Sequence, residues 1–384
     1  MLASLLVLSV RLGAADMSLH GYAEVQGRWF PESGLYPRQT WNDPSVSARP
    51  ELRTRLHGVD LVLMPFGRYD GVDRERSHWD LRELNALFDT GPWQWQVGVG
   101  QVFWGVTESR HLVDIINQTD LVEDIDGEEK LGQPMIHLAR GTHWGRIEGF
   151  VLPGFRERTF PGPHGRLYLP LAIDDPVYQS PKRQRHIDFA LRWSETLAGW
   201  DFGLAWFAGT GRDPRLGPGI ENGLLRIYYD QINQYSLDLQ GSLGDWVLKL
   251  EAFYRDTPVD DFAALVSGFE YTSYGILDGG ADLGLLAEYL YDGRENTLET
   301  PFQNDLFFGL RLALNDTRDS TALAGVFWDM QTDSAFWRIE ASRRLGTAWT
   351  LEVELQGFPR TEPGETIWYW RRDGYAQLSL RHWF

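Results

Sequence analysis

This sequence has no cysteine and very little lysine. None of its 384 residues is cysteine, which excludes a disulfide scaffold, a thiol nucleophile, an iron–sulfur cluster and a thiolate zinc site. Three of its 36 basic residues are lysine, and 54 acidic residues bring the formal net charge to −18. Because phosphate binding depends on an excess of Lys and Arg, we expect no nucleic-acid partner.

Long apolar runs are also missing, and no stretch approaches the roughly 18 uninterrupted apolar residues of a transmembrane helix. One short run, Leu2–Val10, is followed by small residues at Gly13 and Ala15. This pattern predicts an export signal over residues 1–15, with a mature chain that begins at Asp16. The alternative is that the run forms a buried strand or helix.

The dominant pattern has a period of two. In Ala281–Tyr291, apolar residues occupy every second position, whereas Asp282, Gly284 and Glu288 lie on the other face. Such alternation predicts β-strands with one apolar face. The segments are longer than the usual strand of about five or six residues, and their length suits a tilted strand that crosses a hydrocarbon core.

Short and long connections alternate along the chain, as in transmembrane β-barrels. The sequence therefore predicts an all-β fold: a transmembrane antiparallel β-barrel with short periplasmic turns and long extracellular loops, formed by residues 16–384 as one domain. A turn at Gly58 makes the number of strands even, which this plan requires. The eighteen predicted strands are 18–30, 49–57, 60–70, 77–88, 92–104, 134–141, 144–152, 185–195, 199–210, 224–241, 244–256, 264–277, 281–292, 302–314, 319–331, 335–345, 347–358 and 368–384.

Tryptophan recurs at one end of alternate predicted strands, directly after a short turn. Indole is apolar but keeps one N–H donor, so Trp collects where a membrane meets water. A soluble β-sandwich, the rival fold, gives no reason for this placement. The predicted membrane-interface residues are Trp93, Trp200, Trp246, Trp349, Trp383 and Phe384.

The last predicted strand has one mostly apolar face, formed by Ala376, Leu378, Leu380 and the terminal Phe384, with His382 on the same face. It resembles the final strand of Gram-negative outer-membrane barrels of the porin superfamily, in which an aromatic residue usually stands where His382 is. The resemblance implies a place in the bacterial outer membrane and contact with its lipids. It also implies recognition by the barrel assembly machinery during biogenesis, and passage of a small-molecule solute.

Charged residues of the predicted strands are the candidate pore lining. A charge that faces hydrocarbon costs about 2–4 kcal/mol, so these side chains must face the lumen. The alternative is that they pair with each other and fill the interior. The acidic and basic candidates are Asp188, Glu251, Asp282, Glu288, Asp305, Glu340, Glu352 and Glu354, and Arg192, Lys249, Arg255, Arg311, Arg338, Arg344 and Arg381.

Two long loops are predicted to enter the lumen and narrow it. Residues 105–133 carry a formal charge of −6 and include a possible short helix over 108–117, whereas residues 153–184 carry +2. Opposed acidic and basic surfaces would create a transverse field that selects polar solutes. The alternative is that both loops only shield the rim. The constriction candidates are Glu108, Arg110, Asp114, Asp120, Glu123, Asp124, Arg156 and Arg158.

Catalytic and metal-binding motifs are absent from the sequence. It contains no G-x-S-x-G, H-E-x-x-H or P-loop pattern, and the acidic run 124–129 lacks the spacing of an EF-hand. We therefore predict no catalytic residue, metal or cofactor. The predicted function is a channel for passive diffusion of small polar or charged solutes. Two alternatives stay open: the exit port of a multiprotein export or envelope system, with a periplasmic or oligomeric partner, and a barrel-embedded hydrolase.

Overall fold

The structure is a computed structural model that describes residues 17–171, 175–218, 225–276, 280–294 and 299–384. The predicted export signal, residues 1–15, lies outside the described residues and stays a prediction. Within the described ranges, no helix is long and apolar enough to cross a membrane. Two short 3-10 helices, Arg183–Arg185 and Thr366–Trp370, lie in loops of the described ranges.

The described residues form twenty-one β-strands. They are β1 (Met17–Trp29), β2 (Asn42–Leu56), β3 (Val59–Asp70), β4 (His78–Thr90), β5 (Trp93–Gly100), β6 (Gln133–Thr142), β7 (Gly145–Pro153), β8 (Val177–Tyr178), β9 (Ile187–Leu197), β10 (Trp200–Thr210), β11 (Arg215–Pro218), β12 (Leu225–Tyr229), β13 (Gln231–Leu243), β14 (Trp246–Asp256), β15 (Phe262–Gly275), β16 (Ala281–Asp292), β17 (Asn304–Ala313), β18 (Thr321–Asp329), β19 (Ala335–Leu345), β20 (Trp349–Arg360) and β21 (Tyr375–Trp383).

Eighteen of these described strands form one closed antiparallel barrel, and β8, β11 and β12 form a small separate sheet. Each barrel strand pairs with its neighbours in the chain, and β1 pairs with β21 to close the ring. Closure leaves the sheet without an open edge, so every wall strand has a hydrogen-bonding partner on both sides. The predicted all-β antiparallel barrel and its even strand number are confirmed.

The turn at Gly58 is also confirmed. His57 and Gly58 join β2 to β3 with φ values of 50° and 85°. A two-residue hairpin turn of this kind needs positive φ at both central positions, which glycine adopts without strain.

Four predicted strand boundaries were wrong. The strand predicted to begin at 49 begins at Asn42, and the one predicted to run to 104 ends at Gly100. The segment 224–241 is divided, because Leu225–Tyr229 pairs with β8 and β11 instead of the barrel. The last strand is shortened to Tyr375–Trp383. In each case, the alternation of apolar and polar residues did not show where pairing within the barrel begins or ends.

The two faces of the barrel wall differ in polarity. Outward-facing side chains near the middle of the strands are apolar and exposed; Phe308 and Leu310, for example, are 48% and 51% exposed. Inward-facing charged side chains such as Glu24, Arg68 and Glu251 are buried. The wall therefore has its apolar face outside and its polar face inside, which reverses the arrangement of a water-soluble barrel.

Gly98 in β5 lies in close contact with the backbone of β4. Gly98 has a φ of 137°, and a Cβ added there would lie 2.1 Å from the carbonyl oxygen of Leu84. We expect Gly98→Ala to destabilise the barrel by about 1–3 kcal/mol or more, through backbone strain. Gly67→Ala in β3 is the control, because a Cβ there meets nothing within 4 Å. Thermal unfolding in detergent measures both; equal midpoints would contradict the placement of β5 against β4.

Candidate functional site

The connection between β5 and β6, residues 101–132, lies inside the barrel and is called the inner loop here. Its apolar side chains pack on the inner wall: Val113 and Ile116 are fully buried in a cluster with Phe150 and Phe207. Leu112 joins a second cluster on β14 to β17. The apolar part of this acidic loop is thus what attaches it to the wall.

Glu251, an inward-facing residue of β14, holds the first part of the inner loop. Its carboxylate accepts hydrogen bonds from the backbone N–H groups of Val106 (2.6 Å), Thr107 (3.0 Å) and Val113 (3.1 Å). The hydroxyl of Thr107 also donates to it at 2.8 Å. The carboxylate therefore supplies the acceptors that a helix or strand would otherwise supply.

Two carboxylates of β16 extend this attachment. Glu288 accepts hydrogen bonds from the backbone N–H groups of Glu108 (2.9 Å) and Ser109 (2.8 Å), and Asp292 pairs with Arg110 at 3.0 Å. The helix predicted over 108–117 is absent from the structure. One competing contact is that of Val113, whose N–H donates to Glu251 and not to the carbonyl of Ser109, as it would in such a helix.

The second part of the inner loop is held by the opposite chemistry. Its acidic side chains meet arginines of the wall at the strands near β1 and β21. The pairs are Asp120 with Arg82 (2.6 Å), Glu123 with Arg68 (2.8 Å), Asp124 with Arg28 (3.3 Å) and Arg338 (3.1 Å), and Asp126 with Arg338 (2.9 Å). The loop's negative charge is thus largely paired with the wall.

Two pKa shifts reflect these contacts. Burial would lower the pKa of His111, but the nearby carboxylates of Glu128 (3.0 Å) and Glu251 (3.8 Å) outweigh burial and raise it to about 10. Burial would raise the pKa of Asp120, but a hydrogen bond from His78 and the charge of Arg82 lower it to about 2. The imidazolium and the carboxylate are therefore both charged at neutral pH.

A second loop, residues 154–171, crosses the long-loop end of the barrel above the inner loop; we call it the covering loop. Thr159 donates a hydrogen bond to Asp120 at 2.6 Å, which joins the two loops. At the far side, Arg166 pairs with Asp373 at 2.7 Å in the connection that precedes β21. The covering loop is thus fixed at both sides of the mouth.

A cavity of about 530 Å³ remains between the inner loop and the wall formed by β17 to β20. Its cationic lining residues, among those that the structure describes, all have carboxylate partners. The pairs are Arg110 with Asp292 (3.0 Å), His111 with Glu128 (3.0 Å), Arg158 with Asp213 (2.7 Å) and Arg338 with Asp126 (2.9 Å). Phenylalanine rings line the wall side.

Known proteins resemble the chain in structure only. No protein-family model matches it, and no relative is found among curated proteins. A BenF-like porin from Pseudomonas fluorescens Pf-5 superposes with a TM-score of 0.56, at 11% identity over 97% of this chain and 98% of that one. Pseudomonas aeruginosa OpdQ gives 0.54 at 10% identity over 97% and 99%, and OccD3 (OpdP) of that species 0.55 at 10% over 96% and 91%.

This chain has the fold of a porin. The resemblance read from the last strand is thereby confirmed at the level of fold, and the porin-like barrel is complete over nearly the full length of these neighbours.

The predicted pore-lining residues occupy several positions in the porin-like barrel. Arg338 and Glu340 line the cavity. Glu251 and Glu288 hold the inner loop, and Asp188 binds Arg212 at 2.7 Å beneath the covering loop. Ion pairs or hydrogen bonds on the inner wall involve Arg192, Lys249, Arg255, Arg311, Glu352, Glu354 and Arg381.

The three remaining pore-lining candidates lie near the two ends of the barrel. Asp305 is buried near the long-loop end, where it accepts a hydrogen bond from the backbone of Asn304. Asp282 accepts one from Asn315 at the short-turn end. Arg344 is exposed at the same end and pairs with Asp319 at 3.3 Å. Their role in a pore stays a prediction.

The constriction candidates divide in the same way. Glu108, Arg110 and Arg158 line the cavity. The others are bound within the loops or to the wall: Asp114 to Lys130, Asp120 to Arg82, Glu123 to Arg68, Asp124 to Arg28 and Arg156 to Asp80.

The predicted interface residues lie at the short-turn end. Trp246, Trp349 and Trp383 are each more than 40% exposed. Arg140 lies over the ring of Trp93, and Trp200 covers Gly241. Phe384 donates its backbone N–H to Gly21. That these residues lie at a membrane surface stays a prediction.

Sequence reasoning missed the aromatic wall of the cavity. Phe307, Phe327 and Phe336 face inward, among alternating residues where only charges were taken as candidates. The available signal was parity, because Phe307 and Phe308 are adjacent and must face opposite sides of a strand. Among the described residues, no group of three or more His, Asp or Glu is placed to hold a metal ion.

Replacing Glu251 tests how the inner loop is held. In Glu251→Leu, buried N–H groups of the loop lose their acceptor, at a cost of about 1–3 kcal/mol for each group. We expect faster hydrogen exchange at residues 106–113. Glu352→Gln is the control, because it alters a wall carboxylate whose partner is Arg381. Unchanged exchange in Glu251→Leu would contradict the attachment.

The pKa of His111 gives a second prediction. Because its pKa is raised to about 10 in the folded protein, its pairing stabilises the inner loop fully below the ordinary value of about 6.5. This contribution is lost as the pH rises through about 10. An NMR titration of labelled histidine measures the shift, and His111→Gln assigns the signal. A midpoint near the ordinary value would contradict the contacts with Glu128 and Glu251.

Proposed function

We propose that this protein is an outer-membrane channel for the passive diffusion of small polar or charged solutes. The observation that carries the proposal is that the inner loop narrows the lumen without filling it. It leaves a cavity of about 530 Å³ whose walls combine ion pairs with aromatic rings. An eighteen-strand barrel is wide enough to keep an aqueous path beside such a loop.

The outer face supports the membrane part of the proposal. Exposed apolar side chains such as Leu204, Phe308 and Leu310 cover the middle of the strands, and tryptophans lie at the short-turn end. Contact between such a surface and hydrocarbon is favourable, whereas its exposure to water is unfavourable. We further propose that residues 1–15 direct export and that residues 16–384 form the single barrel domain. Outer-membrane lipids and the barrel assembly machinery would then be its partners.

The structural neighbours support the transport part. One of them is a BenF-like porin, and diffusion through a lumen requires no catalytic group. The anchored inner loop gives the path its width, and the covering loop limits access from the long-loop end. Both loops, over 105–133 and 153–184, are therefore proposed as the constriction.

Single-channel conductance in planar bilayers tests the proposal. We expect the purified protein to form ion-conducting channels. Deletion of residues 108–130 should raise the conductance several-fold, because it removes the loop that shares the lumen with the cavity. The double variant Glu251→Leu/Glu288→Leu keeps the chain length but removes the wall acceptors, and it should give larger and noisier currents.

Phe308→Ala, which alters only the outer surface of β17, is the control and should conduct like the natural protein. Retained heat-modifiable mobility on gels shows that each variant still forms the barrel. Unchanged conductance in both loop variants would contradict the constriction. Absence of any conductance in the natural protein would favour the export-port alternative.

A further inference from the structure

The wall side of the cavity carries a continuous row of aromatic rings, which we call the aromatic arc: Phe307, Phe327, Phe336, Phe358 and Trp370. Ring centroids are 4.8 Å apart between the first two, 4.4 Å between Phe327 and Phe336, and 6.2 Å for each of the two remaining steps. The row passes across β17 to β20 and ends on the 3-10 helix Thr366–Trp370.

Strand register sets the arc at one level of the barrel. Phe307 is opposite Phe327, and Phe327 is opposite Phe336 in the neighbouring strand. Two glycines leave room for the ring of Phe307. A Cβ at Gly325 would lie 2.4 Å from this ring, and one at Gly309 would lie 3.0 Å from it. Phe327 and Phe336 stack on each other with an angle of 11° between their planes, and the row of rings gives this side of the cavity an apolar surface.

The opposite side of the cavity is charged but internally balanced. The cationic side chains there, within the described residues, are the ones already paired with carboxylates, such as Arg110 with Asp292. Acidic side chains have partners as well; Glu108 contacts Arg311 at 2.5 Å. A charged solute would have to leave water without gaining an unpaired counter-ion, which is unfavourable.

An uncharged solute meets no such penalty. Its apolar ring face can lie against the aromatic arc, where burial of apolar surface is favourable and edge-to-face ring contact adds to it. Its hydroxyl groups can exchange hydrogen bonds with the remaining lone pairs and N–H groups of the paired ions. The two sides of the cavity thus suit the two sides of one kind of molecule.

We infer that the cavity is a binding site for uncharged, hydroxyl-bearing ring solutes, and that it disfavours their anionic counterparts. This inference rests on the proposed channel function and names the solute class within it. Two sources share this chemistry: a sugar ring with an apolar face, and an aromatic ring with hydroxyl substituents.

Block of the ion current by matched solutes tests the inference. Phenyl β-glucoside and phenyl β-glucuronide differ in one hydroxymethyl group replaced by a carboxylate. We expect half-block by the glucoside at a concentration about tenfold lower. Methyl β-glucoside and catechol separate the two sources, because each supplies one ring only, and block by either one supports the site. Equal or stronger block by the glucuronide would overturn the inference.

Variants connect the effect to the aromatic arc. Phe327→Ala/Phe336→Ala should raise the half-blocking concentration of phenyl β-glucoside about tenfold. Phe308→Ala, which removes an outward-facing ring of β17, should leave it unchanged. Asp213→Asn removes the carboxylate that pairs with Arg158, so block by the glucuronide should strengthen. Heat-modifiable mobility on gels shows whether the double variant forms the barrel. Unchanged block by phenyl β-glucoside in the folded double variant would overturn the inference.

Failure of the channel proposal is distinguishable from failure of this inference. If the natural protein carries no current, calorimetry of phenyl β-glucoside and phenyl β-glucuronide with the detergent-purified full chain gives the same comparison. Preferential binding of the glucoside then supports the site without a pore. Binding of neither solute, or preference for the glucuronide, overturns it.

Discussion

The inner loop can lie inside the barrel only because the wall satisfies its backbone. A segment with neither helix nor strand brings unpaired N–H and C=O groups into a buried place, where each unsatisfied group is costly. Glu251 and Glu288 accept N–H donors from residues 106–113. The side-chain amide of Asn117 donates to the carbonyls of Gly100 and Leu131. The cavity beside the loop exists because this attachment holds the loop to one side.

The need to bind many acceptors of the inner loop also explains why the wall uses arginine and not lysine to hold it. Arg68 donates at once to Glu123, Glu24, Gln26 and Ser45. A planar guanidinium with five N–H donors can bind several acceptors in fixed directions, whereas an ammonium group is a compact point charge. A wall that holds an acidic loop through many oxygen atoms therefore favours arginine over lysine at these positions.

The wall could be predicted from the sequence, but the interior could not. Alternation fixes which face of Ala281–Asp292 is apolar, and the turn at Gly58 follows from strand parity and from glycine's tolerance of positive φ. By contrast, Glu251 lies 145 residues from Val106, its hydrogen-bonding partner. Local pattern therefore suggested a helix over 108–117, since nothing near those residues in the chain shows that distant carboxylates bind their N–H groups. Most of the charged candidates lie on the inner face, but their pairing depends on register across several strands.

Aromatic composition shows how position gives one residue type several roles. The sequence holds 20 Phe and 17 Trp. In β17, the neighbours Phe307 and Phe308 point in opposite directions, one into the aromatic arc and one to the outer surface. Only parity separates these environments, since the side chains are chemically identical. Predictions from charge alone therefore miss the aromatic side of the cavity, where the arc of rings forms an apolar surface opposite the paired ions.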